Sequence, residues 1–478
     1  MCFDSRVVKR PGLLAVSVVA LSGCGQSGPF GAKPLREVEA VSVPTLQRPS
    51  DPVDASPPRR PAGVIGALEN VGALSNAFVA LSTLDDGGAL DDVRVVQFGD
   101  SHTAADLESA VVRKALQARF GDGGRGFVAI GKPWKGYLQD GLRAPGMSRE
   151  FSAERGKLDH GKFVGDGCYG LGGVCVVASK KGARAWTEVA AASSGVEVAY
   201  LEQPGGGTFE LLVDGAVTAT VSTKGAAVAS AFKSVLVPEG PHRVEVQAAG
   251  DGEVRVFGAS LDRSRLGVVW DAVGINGARA STALQWSEAH MSEQLRHRAP
   301  GLVVVAYGTN ESVDDAALPS HERHLVDLLG RIARALPAAS CLVLGPPDRA
   351  TLAGGDWSTA PSLQQVVEME RAVAHAAGCG FYDQLAAMGG PGTIAAWASE
   401  AVPRAQKDRV HLTRDGYAFV GQLFADDLVR AYGEWRSSRG LQPGVTPPER
   451  QQVPPANTAP EDHFEKPPVV SPFVAIPM

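Results

Sequence analysis

Four short stretches of this chain carry groups suited to attack on an acyl carbon. The first is Gly99-Asp100-Ser101-His102, whose serine hydroxyl becomes a nucleophile only when a neighbouring base takes its proton. The last, Asp408-Arg409-Val410-His411, offers that base: an imidazole, with a carboxylate three residues ahead that can accept from its second ring nitrogen. Between them, Gly274-Ile275-Asn276-Gly277-Ala278 offers backbone N–H groups at two glycines, and Gly308-Thr309-Asn310-Glu311 offers an amide donor. Attack on an ester carbonyl puts negative charge on its oxygen, and N–H donors aimed there lower the barrier. Each stretch alone has a duller explanation. Gly-Asp-Ser is a common helix cap, Asn310 a turn residue, the glycines a turn, and Asp408 with His411 a surface pair. The weight lies in their order and their placement.

That placement comes from the elements around them. Residues 93–98 form a β-branched run, and Leu107, Val111, Ala115 and Ala118 then recur at helical spacing. From residue 263 the alternation resumes. Strands are predicted over 266–273, 302–307, 341–344 and 381–382, with helices over 282–298, 321–336, 362–377 and 413 to about 435. Strands alternating with helices predict an α/β domain with a parallel sheet covered on both faces. Ligands bind such sheets beyond the carboxyl ends of the strands, where all four stretches fall. Residues 126–262 differ. Strands over 174–178, 196–201, 209–213, 231–237, 243–246 and 253–257, parted by Gly, Pro or Asp turns, predict an inserted antiparallel β-sandwich.

The ordered set of Ser101, Gly277, Asn310 and His411 with Asp408 resembles the SGNH, or GDSL-like, hydrolase superfamily, whose four blocks supply Ser, Gly, Asn and His. The resemblance spans residues 93 to about 430, apart from the insertion. It implies a flavodoxin-like three-layer α/β fold and a serine esterase that needs no cofactor and no metal. Ser101 would be the nucleophile, His411 the base and Asp408 its orienting carboxylate. The backbone N–H groups of Ser101 and Gly277 and the Asn310 side chain would form the oxyanion hole, with Gly274 in the same loop as a competitor to Gly277. His102 stands where the common pattern has leucine. The run Phe98-Gly99-Asp100-Ser101-His102-Thr103-Ala104-Ala105-Asp106 is similar instead to the subgroup containing bacterial peptidoglycan O-acetylesterases. Those proteins also carry a sandwich resembling a carbohydrate-binding module between their first and second blocks. The resemblance therefore implies removal of O-acetyl groups from an envelope polysaccharide, peptidoglycan first. Transfer of the acetyl to a glycan hydroxyl, or an inactive glycan-binding lipoprotein, are the alternatives. Trp186, Tyr200 and Phe209 in the insertion either stack on sugar or, more commonly for strand aromatics, fill its core.

Composition narrows the partners. Net charge is −6, and basic residues gather only in short pairs such as Lys180-Lys181, so no surface tracks phosphates and nucleic acid is excluded as a partner. Arg6, Lys9 and Arg10 precede a short apolar run over 13–21 that is too brief to span a bilayer. It ends in Leu21-Ser22-Gly23-Cys24, which looks like a bacterial lipobox. The expected organisation is a signal peptide over 1–23, a tether over 24–62, and the first part of the hydrolase over 63–125. The insertion over 126–262, the second part over 263–436 and a Pro-rich tail over 437–478 follow. Lipid on Cys24 would be the one membrane attachment, holding the protein in the bacterial envelope facing the periplasm. Gly25, in place of an Asp that retains lipoproteins at the inner membrane, points to the outer one. In that oxidising compartment Cys168–Cys175 and Cys341–Cys379 are candidate disulfides, with separate thiols as the alternative. There is no H-E-x-x-H and no C-x-x-C pair, and His321 with His324 is expected on a helix surface and not on zinc. The G-x-S-x-G elbow is absent too, and the glycines of 121–126 follow a helix, as a stop signal does.

Overall fold

The computed structural model describes residues 66–156, 165–313 and 318–441. The signal sequence, Cys24, the tether and the tail beyond residue 441 lie outside the described residues.

Five parallel strands form the central sheet: Val93–Gly99, Val268–Gly274, Leu302–Ala306, Ser340–Leu344 and Gly380–Tyr382. Taken in chain order their spatial order is 2-1-3-4-5, the flavodoxin-like arrangement. A short antiparallel strand, Leu68–Glu69, adds a sixth at the edge beyond Gly380–Tyr382. Side chains alternate between the faces, as a strand's two-residue period requires. Val93, Val95, Leu302, Val304, Leu342 and Tyr382 join Phe78, Leu116, Phe120, Phe424 and Trp435 of helices Ser75–Asp85, Glu108–Phe120 and Arg414–Ser438. Val96, Phe98, Val303, Val305, Val343 and Phe381 point the other way. There they meet Leu295, Leu328, Ile332 and Val367 of helices Glu288–Arg298, Leu318–Ala335 and Leu363–Ala376. Near the Val268–Gly274 strand the inserted domain shares that face, through Phe127, Leu201 and Phe257.

The insertion contains nine antiparallel strands in one continuous sheet. Two long strands, Arg184–Glu202 and Ala229–Ala248, run through both layers of the sandwich and pair along their length. Their register breaks between Leu236, opposite Gly195, and His242, opposite Val189, and the sheet folds over there. On one side of the bend Val254–Asp262 continues the sheet, and on the other Leu142–Met147 and Thr208–Val213 do. Val176, Val198, Val256, Phe209, Leu211 and Val246 meet between the layers as a separate apolar core. The sequence pattern shows only 196–201 of the first and divides the second at Pro238–Pro241, because turn residues mark a bulge and a turn alike. It also missed Gly124–Val128 and Ser152–Arg155.

Other expectations need correction. The helix expected over 282–298 is two, Ala280–Ala283 and Glu288–Arg298, parted where Trp286 turns inward and donates Nε1–H to the Gly156 carbonyl (2.7 Å). His321 is buried, not on the surface, because with Leu325, Leu328 and Ile332 it falls on the inward stripe of its helix. The last helix runs to Ser438, slightly past the expected end. A disulfide joins Cys341 to Cys379. Leu342 pairs with Gly380 across neighbouring parallel strands, which sets the two preceding residues side by side. Cys168 and Cys175 are free thiols. The turn between them is closed by Gly170 N–H on the Val174 carbonyl, a register that brings Tyr169 and not Cys168 level with Cys175.

Candidate active site

The parallel order reverses between Val93–Gly99 and Leu302–Ala306, and a crevice at the carboxyl ends of strands opens at such a switch point. Ser101 follows the first of these strands and Asn310 the second. The sequence pattern placed a helix directly behind Ser101. The structure has a four-residue turn of helix, Ser101–Ala104, and then a break before Glu108–Phe120. Asp106 makes the break with a left-handed backbone, φ 49°. So short a turn has little macrodipole, and any stabilisation of negative charge rests on individual N–H groups. Asp100 caps it, its Oδ1 accepting from His102 N–H at 2.9 Å.

His411 arrives from the far end of the chain. Its Nε2 lies 2.9 Å from Ser101 Oγ and its Nδ1 2.7 Å from Asp408 Oδ2. With Nδ1–H donating to the carboxylate, Nε2 is the acceptor for the serine hydroxyl, which is the tautomer proton abstraction needs. Asp408 Oδ1 also accepts from the backbone N–H groups of Val410 and His411, at 3.0 Å each. This tight loop requires φ 54° at Arg409, whose guanidinium packs over Trp357. Partial burial pushes the Asp408 carboxyl up. The hydrogen bonds from the His411 ring and the two N–H groups outweigh it and hold the carboxyl below its ordinary range. The pair stays open to solvent, with His411 35% and Asp408 45% exposed at the side chain.

The donors expected for an oxyanion lie around Ser101. Gly277 sits in the turn after Val268–Gly274 at φ 73°, whereas Gly274 ends the strand so close to Ala104 that a Cβ would stand 2.4 Å from its nitrogen. Gly274 is thus a packing glycine. No hydrogen bond among the described residues takes up the N–H of Ser101 or Gly277. Asn310 Nδ2 donates to the Ala278 carbonyl at 3.0 Å and reaches Asp100 Oδ2 at 3.4 Å, which ties the second and third stretches to the first.

Several supporting groups were given no role by the sequence alone. Glu311 accepts from Ala280 N–H and from Gly308 N–H, both at 3.0 Å, so one carboxyl joins the loops of Gly277 and Asn310. Burial pushes it up to about 7, and Asp100 up to about 6. His102 lies behind the triad, its ring 5.4 Å from that of His411 and its Nδ1 2.9 Å from the Tyr417 hydroxyl. Burial, and then the neighbouring charge of His411, push His102 down to about 3, so it stays neutral. Beneath the Asn310 loop, Glu370 is fully enclosed, with one carboxyl oxygen unpartnered among the described residues.

Burial, and then the charges of Glu311 and Asp100, raise Glu370 well above the usual carboxylate range. A raised acid keeps its proton in the fold at a pH where the unfolded chain has lost it, so stability falls as pH climbs past the unfolded value. Glu370→Gln is therefore expected to melt higher than the wild type at pH 8, with the gap closing towards pH 5. Thermal unfolding across that range checks it, and a gap independent of pH would contradict it.

Of the insertion aromatics, Tyr200 and Phe209 are core residues, and Trp186 has one face under the Arg243 guanidinium (4.8 Å). Among the described residues no cluster of three or more His, Cys, Asp or Glu forms a metal-binding group, and no helix is long and apolar enough to cross a membrane.

Comparison with known proteins agrees with this architecture. The model of the GDSL-like lipase/acylhydrolase family matches residues 240–419, which contain the stretches of Gly277, Asn310 and His411. Ser101 precedes the matched region because the insertion separates it from the rest. No curated protein matches the sequence significantly. Among solved structures, a peptidoglycan O-acetylesterase superposes with a TM-score of 0.65 at 26% identity, covering 77% of this chain and 100% of its own. A family two carbohydrate esterase from Clostridium thermocellum, at 13% identity, covers 56% of this chain and 95% of its own, but its TM-score of 0.24 carries no weight. An acylhydrolase match over three of the four stretches, and an esterase that superposes along its whole length on a chain holding all four, mark this protein as a carboxylic ester hydrolase that resembles the SGNH, GDSL-like hydrolases.

Proposed function

We propose that the protein removes O-acetyl groups from an envelope polysaccharide, peptidoglycan first, through an acetyl-serine on Ser101. The observation that carries this reading is the line from Ser101 Oγ through the His411 ring to Asp408, at 2.9 and 2.7 Å. In the first step Ser101 Oγ bonds to the acetyl carbon while its proton passes to His411 Nε2. Asp408 steadies the imidazolium, and the carbonyl oxygen, now negative, is met by the N–H groups of Ser101 and Gly277 and by Asn310 Nδ2, which exchanges its long 3.4 Å contact with Asp100 for the oxyanion. His411 returns the proton to the departing sugar oxygen. It next takes a proton from water, whose oxygen bonds to the acetyl carbon, and acetate leaves as Ser101 recovers its hydrogen. No step uses a metal or cofactor.

Acetate release from O-acetylated peptidoglycan, set beside acetylated xylan and alginate and beside p-nitrophenyl acetate and octanoate, tests the reading. We expect acetate from the glycans and faster turnover of the acetyl than the octanoyl ester. Acetylated glycan product without free acetate would make the protein a transferase. Faster octanoate turnover would make it a lipase.

Asn310→Ala is expected to lower kcat roughly 100- to 1,000-fold on p-nitrophenyl acetate, the usual cost of one oxyanion donor. A drop under tenfold would take Asn310 out of the hole. The proposal places the enzyme on the periplasmic side of the envelope, in the outer membrane, by lipid on Cys24. Cys24→Ser should move it from the membrane fraction to the soluble fraction of the producing cell; persistence in the membrane would refute that anchor.

A further inference from the structure

A cleft of about 370 Å³, within the size range of small-molecule sites, is lined by residues that follow or precede the catalytic stretches closely in the chain. One wall comes from the segments that carry Ser101, Gly277 and His411. Ala104 and Ala105 follow Ser101, Asn276 precedes Gly277, and Arg414 comes three residues after His411. The opposite wall, with Trp134, Gly136 and Leu138, comes from the start of the insertion.

Three features give this cleft a chemistry. Trp134 is half-buried, held edge-on by the Tyr137 ring at 4.8 Å, and Tyr137 is itself locked by its hydroxyl, which accepts from Ala129 N–H at 3.1 Å. A rigid indole at the mouth of a cleft is a platform for the apolar face of a sugar ring. Leu138, 52% exposed, extends the apolar surface beside it. The polar side is unequal in charge. Asp140 lines the cleft but is engaged by Lys114 Nζ at 2.7 Å and Arg113 at 3.6 Å, whereas Arg414 is exposed and makes no ion pair among the described residues. An unpaired guanidinium in such a place suits a carboxylate.

We propose that this cleft is the subsite for the glycan next to the scissile ester, with Trp134 stacking on a sugar ring and Arg414 pairing with a carboxylate on the glycan. The ligand class is an acidic, acetylated polysaccharide. The carboxylate is that of the lactyl or peptide substituent in peptidoglycan, or of a uronic acid in alginate. The inference rests on the esterase reading above and adds the residues that select the glycan. It also moves sugar recognition from the core aromatics of the sandwich to the loop that leads into it.

The test compares wild type, Trp134→Ala and Arg414→Gln on acetylated peptidoglycan, alginate and xylan, and on p-nitrophenyl acetate. Both variants should keep the small-ester rate within about twofold, because neither residue belongs to the triad or its donors. Trp134→Ala should lose about tenfold or more in kcat/KM on the glycans the wild type cleaves. Arg414→Gln should lose as much on the acidic glycans, through KM and more at low salt than at high, and nothing on neutral xylan. A loss on peptidoglycan or on alginate then identifies the source of the carboxylate. Glycan rates unchanged in both variants, or glycan and small-ester rates falling together, overturn the subsite and leave the esterase reading standing. A wild type that cleaves p-nitrophenyl acetate but frees no acetate from any glycan overturns both.

Discussion

Ser101→Ala and His411→Ala are each expected to lower kcat on p-nitrophenyl acetate by about 10⁴-fold or more, with the double variant hardly worse than either. Without the hydroxyl there is no acyl-enzyme. Without the imidazole to accept it, the hydroxyl keeps its proton and attacks poorly. The two groups share one step, 2.9 Å apart, so removing the second adds little once the first is gone. Asp408→Asn is expected to cost less than either. Its carboxylate is 45% exposed, and water screens much of what it contributes to the imidazolium. Steady-state kinetics on purified variants decide this. If His411→Ala kept most of its rate, the base would have to be sought elsewhere.

Asp106→Ala is expected to destabilise the fold by about 3–5 kcal/mol, the usual cost of leaving a buried charge unpaired. Asp106 is fully buried, and its carboxylate is shared by two buried arginines. Oδ1 accepts from Arg113 Nη1 at 3.0 Å and from Ser109 Oγ at 2.8 Å; Oδ2 accepts from Arg113 Nη2 at 3.2 Å and Arg125 Nη2 at 2.6 Å. Arg113 belongs to the helix behind Ser101 and Arg125 to the first strand of the insertion, so one carboxylate joins the two domains. Burial pushes Asp106 up, but the two guanidinium charges outweigh it and hold it below its ordinary range. Its contribution is therefore complete above the unfolded carboxylate value and is lost as pH falls through the lower folded one. Urea unfolding of wild type and variant between pH 7 and pH 3 should show a gap that narrows with acid. Asp106→Asn, which keeps the shape and removes the charge, should repeat the loss; a cost below about 1 kcal/mol for both would mean that the arginines find other partners.

Much of the hydrolase could be read from local pattern. The β-branched runs and the three-to-four spacing of Leu325, Leu328 and Ile332 report which faces are buried, and burial of alternate faces is what makes a covered parallel sheet. The types and order of Ser101, Asn310, Asp408 and His411 were equally plain, because nucleophile, donor, carboxylate and base are properties of side chains. Where the pattern misled, two structures share one local signal. A proline-glycine cluster at 238–241 reads as the end of a strand but marks a bend within Ala229–Ala248. A regular run behind Ser101 reads as one helix, yet Asp106 breaks it to reach Arg113 and also Arg125, 19 residues on and beyond a local window.

By itself, then, the amino-acid order determined the alternation of strands and helices, the place of the insertion and the reactive groups, since each depends on neighbours within a few residues. The folded chain alone decided that His411 meets Ser101, 310 positions away, that Gly277 and not Gly274 takes the left-handed turn, and that Trp134 and Arg414 face one cleft. Those outcomes depend on strand register and on loops closing over long distances, and contacts of that kind leave no periodic trace in the sequence.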